Sequence, residues 1–163
     1  MYYTKQDSYK NISYGLDGKK TIEDNGDAII SLAMIANYLG LDGASVEDIA
    51  SWAGNKYYIK NQGTQPTIVS AFADKYNVKV ERIEHDKLIE NIEQALKNNK
   101  PVLVRLKSGL FGERVTYKVI RGYEDEKFYL NDPDDNDVKL ASYNGFTSND
   151  IKNNLAQAWT ISK

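Results

Sequence analysis

The chain has no cysteine, one histidine, three prolines and two methionines among its 163 residues. Without cysteine there is no disulfide, no thiolate metal site and no thiol nucleophile. One histidine, His85, rules out a histidine-rich metal site and leaves a single candidate for any triad built on imidazole. No apolar run approaches the ~18 residues that mark a membrane-spanning helix, so no membrane insertion is expected. The net charge of -2 supplies no basic stripe for nucleic acid. The N-terminal stretch MYYTKQDSYK has no apolar signal core. An exported form would have lost its signal, and a cytoplasmic location fits equally well.

What is present suits one domain over residues 1–163, with 41% hydrophobic residues to build a core. Twelve tyrosines and two tryptophans either close a small mixed core or line a binding surface. Residues 11–18 (NISYGLDG) read as a loop or loose hairpin. Leu32, Ile35, Ala36 and Leu39 recur at helical spacing, so a helix is expected from Asp27 to Leu39, ended by Gly40. Ser45 caps a second helix that carries Ile49 and Trp52 and stops near Gly54. A third follows Pro66 with Ile68, Phe72 and Tyr76 four apart. Residues 78–83 alternate as a strand, and 86–98 form an amphipathic helix. Residues 56–60 are a short strand or an extended loop. The second half is β-rich: 101–106, 115–123, 127–131 and a closing strand at 158–162. Helices leading and an antiparallel sheet following is the α+β pattern.

Two features bear on chemistry. Asp27 stands at the mouth of a helix that runs straight into apolar residues. Its plain reading is an N-cap, since a carboxylate there meets free backbone N–H groups and the helix dipole. The second is the acid cluster Asp132, Asp134, Asp135 and Asp137. Counted from Asp132 it lacks the sixth-position glycine and twelfth-position glutamate of a calcium loop, so it reads as a solvated turn. His85, flanked by Glu84 and Asp86, reads as a solvent-facing loop residue. No cofactor is called for.

The order of the pieces resembles the papain-like cysteine peptidases of the bacteriocin-processing, double-glycine leader peptidase type. The residues that carry the resemblance are Gln6-Asp7, Tyr14-Gly15, Thr21-Ile22 running to Leu32-Ala33-Met34, Trp52-Ala53, Tyr57-Tyr58, Gly63-Thr64, Lys75-Tyr76, Lys100-Pro101-Val102, Gly122-Tyr123 and Asn131-Asp132-Pro133. They span nearly the whole chain. The resemblance implies a papain-like fold, with an N-terminal helical half packed on a C-terminal antiparallel sheet. In that family the position matching Asp27 is the cysteine nucleophile, where helix N–H groups lower a thiol pKa. The family histidine falls seven residues before the tyrosine of Gly-Tyr, which is Thr116 here. Asp132 matches the residue that orients the histidine, and Gln6 matches the glutamine of the oxyanion hole. The Gly-Pro after the family cysteine is replaced by Ala28-Ile29.

Nucleophilic catalysis needs an activated nucleophile with a base in reach, and this chain has neither at those positions. The expectation is a catalytically inactive pseudo-peptidase that binds a peptide or protein, in a bacterial secretion or cell-envelope setting, with its oligomeric state open. Degenerate positions Gln6, Asp27, Thr116 and Asp132 would line the cleft, with Trp52, Tyr57, Tyr58 and Tyr117 as its walls. Two acids in one cleft would favour a basic ligand. The alternative is a hydrolase that uses Asp27 and Asp132 as an acid/base pair around a water.

Overall fold

A computed structural model describes residues 4–15 and 19–163. Part of the 11–18 loop expected from the sequence therefore lies outside the described residues. A 3-10 turn, Gln6–Tyr9, opens the described chain, and the helices α1 (Ile22–Asn25), α2 (Asp27–Leu39) and α3 (Val46–Ala53) follow. Two short strands, β1 (Tyr58–Ile59) and β2 (Gly63–Thr64), make a small hairpin before α4 (Thr67–Tyr76). Then come β3 (Lys79–Ile83), α5 (Leu88–Lys97), β4 (Val102–Leu106), β5 (Thr116–Glu124), β6 (Lys127–Asn131), β7 (Gly145–Phe146), α6 (Ser148–Asn154) and β8 (Leu155–Ser162).

Six strands form one antiparallel sheet in the order β3-β8-β4-β5-β6-β7. Alternation along the strands splits the core in two, because successive side chains point to opposite faces. Leu103, Tyr117, Val119, Trp159 and Ile161 pack with α2, α3 and α4 on one face. Val102, Val104, Leu106, Ile120, Leu130 and Ala158 pack with α5 and α6 on the other. The α+β class expected from the sequence is what forms. The arrangement differs in one respect: helices cover both faces, so the sheet is a middle layer. α5 and α6 are needed because central strands with apolar residues on both faces must be buried on both.

α2 is apolar on nearly every side, with Ala28 through Ala36 all buried, and it packs against β5. Gly26 lets it start there. A Cβ on Gly26 would come within 2.6 Å of the Ile22 side chain and carbonyl, so only glycine allows α1 to fold back against the start of α2. Gly40 ends α2 in the left-handed conformation at φ 61°. α3 starts on a capping box in which the Ser45 hydroxyl accepts the Asp48 N–H at 3.1 Å and the Asp48 carboxylate accepts the Ser45 N–H at 3.1 Å. His85 lies exposed in the turn between β3 and α5.

Candidate functional site

Asp27 is the first helical residue of α2; the N-cap is Gly26. Its carboxylate accepts the Tyr117 backbone N–H at 2.6 Å, joining residues 90 apart in sequence. It also accepts from the Thr116 hydroxyl and the Ala28 N–H. The N-cap position read for Asp27 thus falls to Gly26, and Asp27 instead ties the mouth of α2 to the first two residues of β5. Burial lifts its carboxyl to about pH 6, and the Tyr117 N–H, the Lys118 charge and the Thr116 hydroxyl pull it back toward the normal range.

Tyrosines close around this point. The Tyr117 hydroxyl donates to the Thr64 carbonyl at 2.9 Å, and the Tyr14 hydroxyl shares a 2.6 Å hydrogen bond with the Thr64 hydroxyl. The Tyr58 hydroxyl donates to Asn25 Oδ1 at 2.8 Å, and Asn25 donates to the Tyr14 carbonyl at 3.4 Å. Burial and the nearby Asp27 charge raise the Tyr14 and Tyr117 phenols well above their ordinary range, so both remain neutral donors. Gly15 is required here: it sits at φ 69°, and a Cβ on it would meet the Tyr58 ring at 2.8 Å.

Asp132 is placed differently. It is fully buried, with Lys118 Nζ 2.5 Å from Oδ1 and Lys139 Nζ 2.7 Å from Oδ2. Lys118 is also fully buried, on the strand face it shares with Ile120, opposite Val104. Burial pulls its ammonium below the ordinary lysine range, against which Asp132 works. Asp132 Oδ1 also accepts the Asp134 N–H at 3.0 Å, and the Asp132 N–H goes to the Ser142 hydroxyl at 2.7 Å.

These contacts correct several expectations. Asp27 and Asp132 do not present two bare carboxylates to one cleft, because Asp132 is sealed between two lysines. Asp132 has no solvent exposure and each of its oxygens faces a lysine, so it forms no open pair with Asp27. Gln6 is buried, and its amide donates to the Ile22 and Glu23 carbonyls at 3.0 and 3.2 Å. It anchors the N-terminal segment to α1 and has no N–H aimed at a ligand. Trp52 and Tyr57 stack on each other at 5.5 Å, with Tyr76 and Lys56 beside Trp52. They form a group on α3, the turn after it and α4, and none of these contacts reaches Asp27. Of the residues expected in the site, Asp27, Thr116, Tyr58 and Tyr117 come together.

Lys118, Lys139, Tyr14, Asn25 and Thr64 were not expected in the site. Lys118 left a signal: it is the lone charge in the apolar stretch Tyr117 to Ile120 of a strand that had to be central. A lysine there demands a buried carboxylate. Lys139 left none, since a lysine in a polar turn is ordinary. Among the described residues no cluster of His, Asp or Glu could hold a metal ion, and no helix is long and apolar enough to cross a membrane.

Comparison with known proteins agrees with this fold. No curated protein sequence matches the chain. Among solved structures, a protein of Bacillus anthracis described as a C39-like peptidase superposes with a TM-score of 0.62 at 18% identity, over 86% of this chain and 90% of that one. The peptidase domain of Streptococcus ComA, a bi-functional ABC transporter involved in a quorum-sensing pathway, superposes with a TM-score of 0.59 at 16% identity, over 93% and 96%. The model of the Peptidase_C39 like family matches residues 5–163, and the chain therefore belongs to that family, on a papain-like α+β scaffold that here contains no cysteine.

Proposed function

We propose that residues 1–163 act as one non-hydrolytic peptidase-like domain that holds a peptide or protein partner. The observation that carries this reading is the Asp27 carboxylate, committed at 2.6 Å to the Tyr117 N–H where relatives carry a sulfur nucleophile. Thr116, where relatives carry the base, donates to that same carboxylate. A threonine hydroxyl is too weak a base to take a proton at neutral pH. The retained fold with withdrawn chemistry supports binding as its remaining use. The likeness to the peptidase domain of a transporter supports a partner in a secretion or cell-envelope system.

The test is incubation of the purified chain with a mixed-sequence peptide library, read by mass spectrometry, with retained peptides recovered on the immobilised protein. The expected result is a retained, uncut subset. Cleavage that disappears in Asp27→Asn would overturn the reading, and so would retention of no peptide or partner at all.

A further inference from the structure

Lys118 and Asp132 meet where neither side chain has any exposed surface. Strand register brings them together. Val119 of β5 pairs with Asn131 of β6, so Lys118 and Asp132 are the next residues across, one step beyond that pair. Asp132 is held from its own side as well. Its N–H goes to the Ser142 hydroxyl at 2.7 Å, and its Oδ1 accepts the Asp134 N–H at 3.0 Å. Lys118 in turn sits opposite Val104 on β4, beside the apolar packing of Ile120 and Leu130.

An amine held against a carboxyl group away from solvent has a reaction open to it that is closed in water. In water the ammonium has no lone pair to attack with, and the carboxylate is a poor electrophile. Here burial, helped by the Lys139 charge, pulls the Lys118 ammonium below its ordinary range, against the opposing pull of Asp132 and Asp27. Passing one proton across the 2.5 Å contact leaves a neutral amine beside a neutral acid and removes two buried charges. One hydrogen-bonded hairpin carries both groups, so their encounter has little entropy left to lose. Lys139 Nζ lies 2.7 Å from Oδ2, where the negative charge of a tetrahedral intermediate collects.

We propose that Lys118 and Asp132 join as an amide, a covalent cross-link between β5 and the segment that leaves β6. The bond from Lys118 Nζ to Asp132 Cγ forms, and the bond from Cγ to Oδ1 breaks. Of the ammonium hydrogens, one stays on the amide nitrogen and the others leave with Oδ1 as water. One ammonium and one carboxylate become one neutral amide, so charge balances within the pair and no co-reactant or redox partner enters. Lys139 keeps a carboxylate nearby when the Asp132 charge is gone, in Asp134 at 3.9 Å. The absence of solvent at the pair protects the amide from hydrolysis. The link closes residues 118–132 into a loop and constrains the unfolded chain as a disulfide would, in a sequence with no cysteine to make one. It is independent of what the domain binds.

The experiment weighs the purified full chain intact under denaturing conditions and then maps it with trypsin. The expected result is the sequence mass less one water, no cleavage after Lys118, and a branched peptide that joins the Lys118 and Asp132 segments. A succinimide also loses one water, but it needs the N–H of the following residue, and Pro133 has none. Asp132→Ala should keep its full mass whether or not it folds. A parent chain of full sequence mass that trypsin cleaves after Lys118 would overturn the cross-link. So would a water loss that maps to Asp42-Gly43 or to any other acid, or one that persists in Asp132→Ala.

Discussion

Lys118 Nζ lies 2.5 Å from Asp132 Oδ1, and neither side chain reaches solvent. By the resemblance read from the sequence, Asp132 matches the acid that orients the histidine of related peptidases. In this chain it faces a lysine buried among Val104, Ile120 and their neighbours. The consequences are energetic as well as chemical.

Asp132→Ala leaves Lys118 charged and buried with no counterion on its own face. The expected loss is about 3–5 kcal/mol of unfolding free energy, read by urea denaturation. Lys118→Met combined with Asp132→Asn removes both charges and should recover most of that loss. A single variant within about 1 kcal/mol of the parent would show that the pair contributes no more than a surface salt bridge.

Asp27 predicts a pH dependence of stability. Its folded pKa of about 6 lies above the ordinary 3.8, so the folded chain binds the proton more tightly than the unfolded one. Stability from this group is fully present below about pH 4 and is lost as pH rises through 6. A shift of about two units corresponds to at most about 3 kcal/mol. Asp27→Asn should flatten this part of the curve and raise the melting temperature at pH 7 to 8. A variant that retains the parent's slope between pH 4 and 7 would exclude Asp27 as the source.

Restoring sulfur and imidazole should not suffice to restore reactivity. In Asp27→Cys with Thr116→His, Asp132 remains committed to Lys118 and Lys139 and cannot orient the new ring. Iodoacetamide alkylation of that variant should follow the pH profile of a thiol lowered by the α2 N-terminus alone. Adding Lys118→Val releases one side of Asp132 and should move the profile to lower pH. Identical profiles with and without Lys118 would remove the lysine from this account.

Gly26→Ala forces a methyl group against the Ile22 carbonyl and Cα, which lie within 2.8 Å of its position. The collision is with backbone, so neither helix can yield cheaply. The expected destabilisation is about 1–3 kcal/mol by thermal denaturation. Because Gly26 is the N-cap of α2, next to Asp27, the same variant should disturb the Asp27 to Tyr117 contact, visible as a shifted Tyr117 amide resonance.

Much of the architecture was legible in the order of residues. The stripe on α2, the Ser45 cap, the glycine at 40, the alternation of β3 and the β-rich runs of β4 to β6 are local patterns, and local patterns survive without knowledge of the fold. α1, α6 and β7 escaped. α1 has four residues and α6 seven, and each carries a capping box, Thr21 with Asp24 and Thr147 with Asp150, that was the available signal. Helices that short do not hold without tertiary contacts, such as the burial of Ile22 and Ile151. β8 begins at Leu155, three residues earlier than its apolar core suggests, because the sheet extends it beside Leu106.

The site divides the same way. Asp27 was marked by its place at a helix mouth, and Thr116, Tyr58 and Tyr117 by the cleft that the family resemblance implies; the structure brings the four together. Gln6 and Asp132 were named too, but their contacts with Ile22, Glu23, Lys118 and Lys139 were not foreseen.

The amino-acid order alone determined that no thiol chemistry occurs here, because a reaction needs its atoms and no cysteine exists to supply them. It also determined the α+β class, because helical and strand periodicities are written residue by residue. Only the tertiary structure decided which acid would stay accessible and which would be sealed. Asp27 and Asp132 are chemically the same side chain; burial and the charges brought near by distant segments make one a titrating link and the other a locked counterion. Those properties belong to neighbours in space, and neighbours in space are settled only when the chain folds.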